Sequence, residues 1–198
     1  MNSFNDNNFK LRFDGEQHQL DANVLISSLI HTTAIIQETN KFLDSGKKIE
    51  IKVKALEKGS FLIHIELIET TFDSLKIIFT RENIETGGII ISAFVGFIEI
   101  KKFLKGKSPK KIDQKESKTT ITNQNGDVFI IENSVFNIYE HSSIVQDALS
   151  QNFETLNNDP AISAFEVTDK NENPIIRVEK EEFSDLSLKS EEILKDER

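Results

Sequence analysis

Four histidines, 33 acidic side chains and no cysteine make up the chain's supply of acid–base and metal-binding groups. Only "FDGEQHQLD" brings the two kinds together in a loop, with His18 four residues past Asp14 and two past Glu16. An imidazole beside a carboxylate can move a proton near neutral pH, because histidine titrates there. On a nucleotide or nucleic acid such a pair would activate a water or a hydroxyl. That gives an enzymatic alternative carried by Asp14, Glu16 and His18. The same polar residues also suit an ordinary turn, which is the leading expectation. His64 and Glu66 are two apart and share one face of a strand, the outer one if Phe61 and Ile63 point inward. His31 lies mid-helix beside Thr32 and Thr33 and is expected to be structural.

The patterns that would raise these residues to a site are missing. The sequence holds no HExxH, no HxH and no paired acidic motif, so no metal ligand is assigned. With no cysteine, disulfides, thiolate zinc sites and cysteine nucleophiles are all excluded, and a reducing cytosol suits the chain. Gly87 and Gly88 precede an apparent helix start, where free amides could hold an anion. Neither GxGxxG nor GxxxxGK[ST] surrounds them, and GxSxG does not occur. The sequence therefore assigns no catalytic, cofactor-binding or metal-binding residue and implies no cofactor.

Charge narrows the partners further. A net charge of −9, one tyrosine and no tryptophan argue against a nucleic-acid platform. Charge is unevenly placed, however. Lys101 to Lys118 contains eight lysines against Asp113 and Glu116, whereas Glu154 to the end carries thirteen acids against six bases. Both runs read first as solvated surface; the sharper alternative is a basic strip for an acidic partner, including the molecule's own tail.

Positioning such groups takes elements, and the hydrophobic period supplies them. Phe9, Leu11 and Phe13 alternate with Lys10 and Arg12, the mark of a half-buried strand. Asp21 is a helix N-cap candidate, and Leu25, Leu29, Thr32, Ile36, Thr39 and Leu43 follow at spacings of three and four up to Gly46. Ile49 to Ala55 and Phe61 to Leu67 alternate around a glycine-containing link and read as a hairpin turning near Gly59. Phe72, Leu75, Ile78 and Phe79 show helical spacing. "TTIT" and "VFII" flank "NQNGD" as a second hairpin, and "AISAFEVT" and "PIIRVE" flank "DKNEN" as a third. Between them Ile144, Val145, Ala148, Leu149, Phe153 and Leu156 mark a helix that ends at "NNDP".

The stretch "GGIIISAFVGFIEIKKFLKGKSPKK" is apolar on nearly every side if helical. Twelve residues from Gly87 precede Glu99, short of the roughly 20 that span a bilayer. Two expectations follow, a buried central helix and a helix shared with a second subunit. The candidate interface residues are Ile90, Phe94, Phe97 and Ile98. A membrane-active effector using residues 87–105 is the third functional alternative.

In order, "FDGEQHQLD", "IKVKALEKGSFLIHIEL", "FLKGKSPKK", "ITNQNGD", "FNIYE" and "VEKEEFSDL" resemble a broad group of uncharacterised bacterial proteins encoded in mobile-element or prophage regions. The resemblance spans residues 8–188 and transfers no catalytic residue. It implies a cytoplasmic bacterial protein tied to conflict between phage and host. The N-terminus, MNSFNDNNFK, lacks the features of a signal peptide, in keeping with that compartment.

Together these features specify an α+β fold, antiparallel β-hairpins packed against amphipathic helices with one strongly apolar central helix. The expected divisions are 1–106, a β-α-β-β unit with helices; 107–118, a lysine-rich connector; 119–183, a smaller α+β unit; and 184–198, an acidic flexible tail. The leading function is a non-enzymatic, self-associating protein-interaction module in phage defence or its inhibition. The expected partners are a second copy of the chain and another protein, and neither nucleic acid nor a membrane is expected.

Overall fold

The computed structural model describes residues 7–15, 20–44, 46–54, 62–70 and 85–189. Strand β1 (Asn8–Asp14) buries Phe9, Leu11 and Phe13 on one face, as their alternation requires. Helix α1 (Ala22–Leu43) begins at Asp21, whose Oδ1 accepts from the Asn23 amide at 2.7 Å. That bond satisfies one of the amides a helix start leaves unpaired. Thr32, Ile36 and Thr39 are buried, while Leu25, Leu29 and Leu43 pack at the rim of the core.

Strands β2 (Lys48–Lys54) and β3 (Leu62–Thr70) form the expected antiparallel hairpin. Its turn at Gly59, the helical spacing at 72–79, and the residues Glu16 and His18 lie outside the described residues. Helix α2 (Glu85–Leu104) is followed by β4 (Lys111–Lys115), β5 (Lys118–Thr122), β6 (Val128–Glu132), α3 (Asn133–His141) and α4 (Ser143–Asn158). Strands β7 (Ala164–Thr168) and β8 (Pro174–Glu179) lead into α5 (Lys180–Ser187). All pairings are antiparallel, so the class is α+β with two antiparallel sheets.

The larger sheet has the order β2-β3-β1-β7-β8, and the smaller has the order β4-β5-β6. Because β1 lies between β3 and β7, strands from both ends of the sequence share one sheet. This corrects the expected division at the lysine-rich segment. Residues 107–118 contain β4 rather than a bare connector, and β7 and β8 belong with the first three strands. Likewise α5 extends through Ser187, so the expected tail from residue 184 begins inside a helix. Local period reveals strands but not their distant partners, which is why these boundaries were misplaced.

One face of the larger sheet carries the core. Leu11 faces Ile63 and Val167, Phe9 faces Ile65, and Phe13 faces Phe165 across the ladders. Helices close over it: Phe153 of α4 meets Phe165 edge-on at 5.9 Å and Phe183 of α5 at 5.8 Å. Helix α2 reaches both sheets, with Phe94 6.0 Å from Phe9 and Phe103 5.5 Å from Phe129. Gly87 lets its first turn approach Asn7, since a Cβ there would sit 2.0 Å from the Asn7 Oδ1. Gly87 thus serves packing at the helix start.

Candidate functional site

The alternation that buries Phe9, Leu11 and Phe13 sends Lys10, Arg12 and Asp14 to the other face of the larger sheet. Glu166 of β7 stands opposite Arg12, and Arg177 of β8 stands opposite Glu166. One row across three strands therefore runs cation, anion, cation. Arg12 Nη1 donates to Glu166 Oε2 at 3.0 Å, and Arg177 Nη1 donates to Glu166 Oε1 at 2.5 Å. Glu166 is the node, its side chain only 5% exposed although both arginines reach solvent.

The row extends at both ends. Arg177 also donates to Asp14 Oδ2 at 2.5 Å and to Glu179 Oε1 at 2.6 Å. Bonds to Glu179, Asp14 and Glu166 hold its guanidinium pKa above the ordinary value, so it is a permanent cation. Glu172, from the turn before β8, accepts from Lys10 Nζ at 2.9 Å and Arg12 Nη2 at 3.2 Å. Those bonds, Lys10 first, hold its carboxyl below the usual range. Glu172 adopts φ 68°, a left-handed backbone that lets the short turn present its side chain. Beside this row His64 Nε2 lies 3.0 Å from Asn8 Oδ1, on the polar face that alternation assigned to it.

Chemically this face is a closed lattice. Lys10, Arg12 and Arg177 are each matched to carboxylates from Asp14, Glu166, Glu172 and Glu179. Asp14, one member of the expected acid–base loop, takes part in this lattice through its bond from Arg177. His31 and His141, the other described histidines, have separate surroundings. His31 is half-buried on α1 with its pKa lowered by desolvation, and His141 Nδ1 lies 2.9 Å from the Asn137 carbonyl in the last turn of α3. Among the described residues no cluster of three His, Asp or Glu could hold a metal ion.

A second unusual cation lies inside the molecule. Lys101, on α2, is 3% exposed and has no carboxylate partner among the described residues. Its Nζ instead donates to Ser150 Oγ at 2.9 Å, Leu186 O at 2.8 Å and Leu188 O at 2.7 Å. Three donors meet three acceptors, two of them carbonyls at the C-terminal end of α5. Burial pushes its pKa down to about 8. Lys180 does the same for α4, donating to the carbonyls of Leu156, Asn157 and Asp159. Both lysines cap helices from a distance and join elements that the sequence keeps apart. Lys102 is equally engaged, with Arg177 O at 2.7 Å and Glu182 at 3.1 Å. A shallow groove between residues 102–107 and the Asn123–Asp127 turn is lined by Lys105, Lys107 and Asp127, and Gln124 Nε2 closes its end on Ser108 O at 2.7 Å.

The candidate interface residues fall elsewhere than expected. Ile90, Phe94, Phe97 and Ile98 are 0, 2, 0 and 0% exposed, covered by the chain's own residues. Of the apolar side chains of α2, Ile89 alone stands out, at 45%. All-round apolarity is met inside one chain because α1, α3, α5 and β3 surround this helix. No helix among the described residues is long and apolar enough to cross a membrane.

Sequence reasoning missed Glu166, Arg177 and Lys101. A signal was present for two of them, since Glu166 interrupts "AFEVT" and Lys101 continues an apolar run. A lone charge on an otherwise apolar element must find a partner when buried. The partners themselves, 150 or more residues away for Arg12 and Glu172, had no local signature. No family model matches the chain, and neither does any curated protein or solved structure.

Proposed function

We propose that this chain is a non-enzymatic protein-interaction module that associates with a second copy of itself. One contrast carries the proposal: ionic groups on the large sheet satisfy one another, while large apolar side chains stand in solvent in short stripes. Ile26 and Ile30 lie one helical turn apart on α1, and Val128 and Ile130 lie on one face of β6, all more than half exposed. Scattered exposed apolar residues are ordinary, but aligned pairs at the period of their own element make a contact surface.

The enzymatic alternative needs Asp14 as a free carboxylate, and the salt bridge to Arg177 supports the non-enzymatic choice instead. Sedimentation equilibrium over a concentration series tests self-association directly. The expected result is a mass that rises with concentration toward that of a dimer. A single monomer mass throughout would overturn the proposal.

A further inference from the structure

Among the described residues the two sheets have four edge strands, and an exposed edge offers unpaired backbone groups to any extended chain. Three of the four are defended. On β2, Lys48, Glu50, Lys52 and Lys54 alternate with the apolar positions. β8 opens on Pro174, and a register shift between Val167 and Thr168 disturbs its pairing. β4 reads KIDQK, with both lysines exposed. Lysine, proline and bulges are the usual means of blocking edge pairing.

β6 has none of these along Val128–Ile131. Its sequence is VFIIE, and Val128 and Ile130 are 59% and 60% exposed. The ladder fixes where its backbone points. Asn123 donates to Asp127 O and Asn133 to Ser117 O, so the hydrogen-bonded pairs with β5 are 121/129 and 119/131. The amide and carbonyl of Val128, Ile130 and Glu132 therefore face the open edge. They are in phase with the exposed side chains.

We infer that β6 pairs antiparallel with β6 of a second copy, joining two three-stranded sheets about a two-fold axis at Ile130. This rests on the self-association proposed above and names its surface. The strand is self-complementary in the one register that overlaps it end to end. Ile130 then faces its own copy, with Thr120 next in line on each side, and Val128 faces Glu132 of the other chain. Glu132 is already neutralised by Lys118 on β5, so no bare carboxylate enters the contact. The two Glu132 side chains stay at opposite ends. Parallel pairing in register would set them side by side, and like charges directly opposite are unfavourable. An apolar centre between charged margins is the arrangement of a protein interface. The lysine-bearing β4 edges end up outermost, which keeps the assembly closed at two copies.

Three substitutions at Ile130 separate the outcomes. Ile130→Pro removes an amide that points away from β5, so the edge is blocked while the ladder with β5 remains. Ile130→Lys places charge at the axis and serves if the proline variant fails to fold. Ile130→Cys introduces the chain's sole thiol, at a position where two copies would bring their Cα atoms within disulfide reach. Such a small contact belongs to the transient class, so wild type is expected as a dimer at about 100 µM in sedimentation equilibrium. Both Ile130→Pro and Ile130→Lys are expected to weaken dimerisation at least tenfold, roughly the effect of disrupting an interface centre, with unchanged circular dichroism. Ile130→Cys is expected to form a covalent dimer on mild oxidation. A wild-type dimer that persists in the proline and lysine variants, with no cross-link through Cys, would overturn the assignment to β6 and leave self-association standing. A wild-type monomer throughout would overturn both, as it would if β6 received a strand from a different protein.

Discussion

The two sheets solve the same problem with different placement of charge. Each is covered by helices on one face and must do something with the other. On the five-stranded sheet the ionic row runs from β1 through β7 to the edge strand β8, so that its centre, Glu166, has partners on both flanking strands. There Glu166 bridges two arginines under near-complete burial. On the three-stranded sheet the lysines sit on the outer strand β4 and at the end of β5, and the ion pairs Lys115–Asp113 and Lys118–Glu132 are open to solvent. Its middle is threonine and isoleucine. The lesson is that a charged side chain acquires structural weight from its position in the strand order more than from its type. The charges of one sheet satisfy one another, while on the other Val128 and Ile130 stand in solvent.

The sharpest way to break that comparison is to remove the node. Glu166→Ala leaves Arg12 with Glu172, and Arg177 with Asp14 and Glu179, but opens a hole between two guanidinium groups. Breaking a buried ion pair costs about 3–5 kcal/mol, and the partial exposure of both arginines brings the expectation to about 3 kcal/mol. Urea denaturation would register it as a lowered midpoint at unchanged slope. A loss under about 1 kcal/mol, the range of solvent-exposed pairs, would mean that the two sheets do not differ in this respect.

Lys101 asks whether burial alone, without a carboxylate, gives a cation the same weight. Lys101→Met keeps most of the stem and removes three hydrogen bonds, leaving the carbonyls of Leu186 and Leu188 without this donor. The expected cost near neutral pH is about 2 kcal/mol, the range for stranded buried polar groups. Its pH dependence identifies the cause. Burial lowers the lysine pKa from 10.5 to about 8, so between those values the unfolded chain holds a proton that the folded chain has released. Stability then rises with pH across the window, because the unfolded state binds more protons. Below pH 8 the cost of burying the charge is fully present. The wild type should therefore gain on the methionine variant from pH 8 to 10.5, and other titrating groups cancel in the difference. A constant gap would show that the ammonium is not desolvated.

How far the chain's sequence reveals these features depends on the range of the physics involved. The N-cap at Asp21, the α1 face, the helix at residues 143–158 and the β5–β6 and β7–β8 hairpins follow from neighbours within a few positions, and each is found where the period put it. Helix α5 carries a local signal that was passed over: Glu179 and Glu182 form a capping box, and Phe183 and Leu186 lie one turn inward and are buried. The pairing of β1 with β7 is another matter. Its register depends on the whole chain returning to its start, and no window of sequence contains that. The same holds for the ionic row on the large sheet, which exists only because three strands from distant positions align. For α2 the sequence left burial inside the fold and sharing with a second subunit both open, because the helical projection does not count the elements available to surround the helix.

The smallest effect is expected where the ion pair looks most alike. Lys118 and Glu132 face each other across β5 and β6, as Arg12 and Glu166 do across β1 and β7. Their side chains are 48% and 37% exposed, so water screens the attraction and already solvates either charge alone. Lys118→Met keeps the β5 ladder, whose bonds are made by the backbone, and its stem still covers the same surface. Exposed pairs contribute about 0–1 kcal/mol, and a loss below about 0.5 kcal/mol is expected here. Raising the ionic strength to about 1 M should shrink even that difference, since the Debye length then falls to about 3 Å, comparable with the separation of an open pair. If Lys118→Met instead costs as much as Glu166→Ala, position in the strand order is not what gives these charges their weight. The common factor would then be the cross-strand pair itself. If the variant keeps its stability but loses its dimer at about 100 µM, the transient range of small interfaces, then Lys118 neutralises Glu132 for the benefit of the β6 contact, as the two-fold pairing requires.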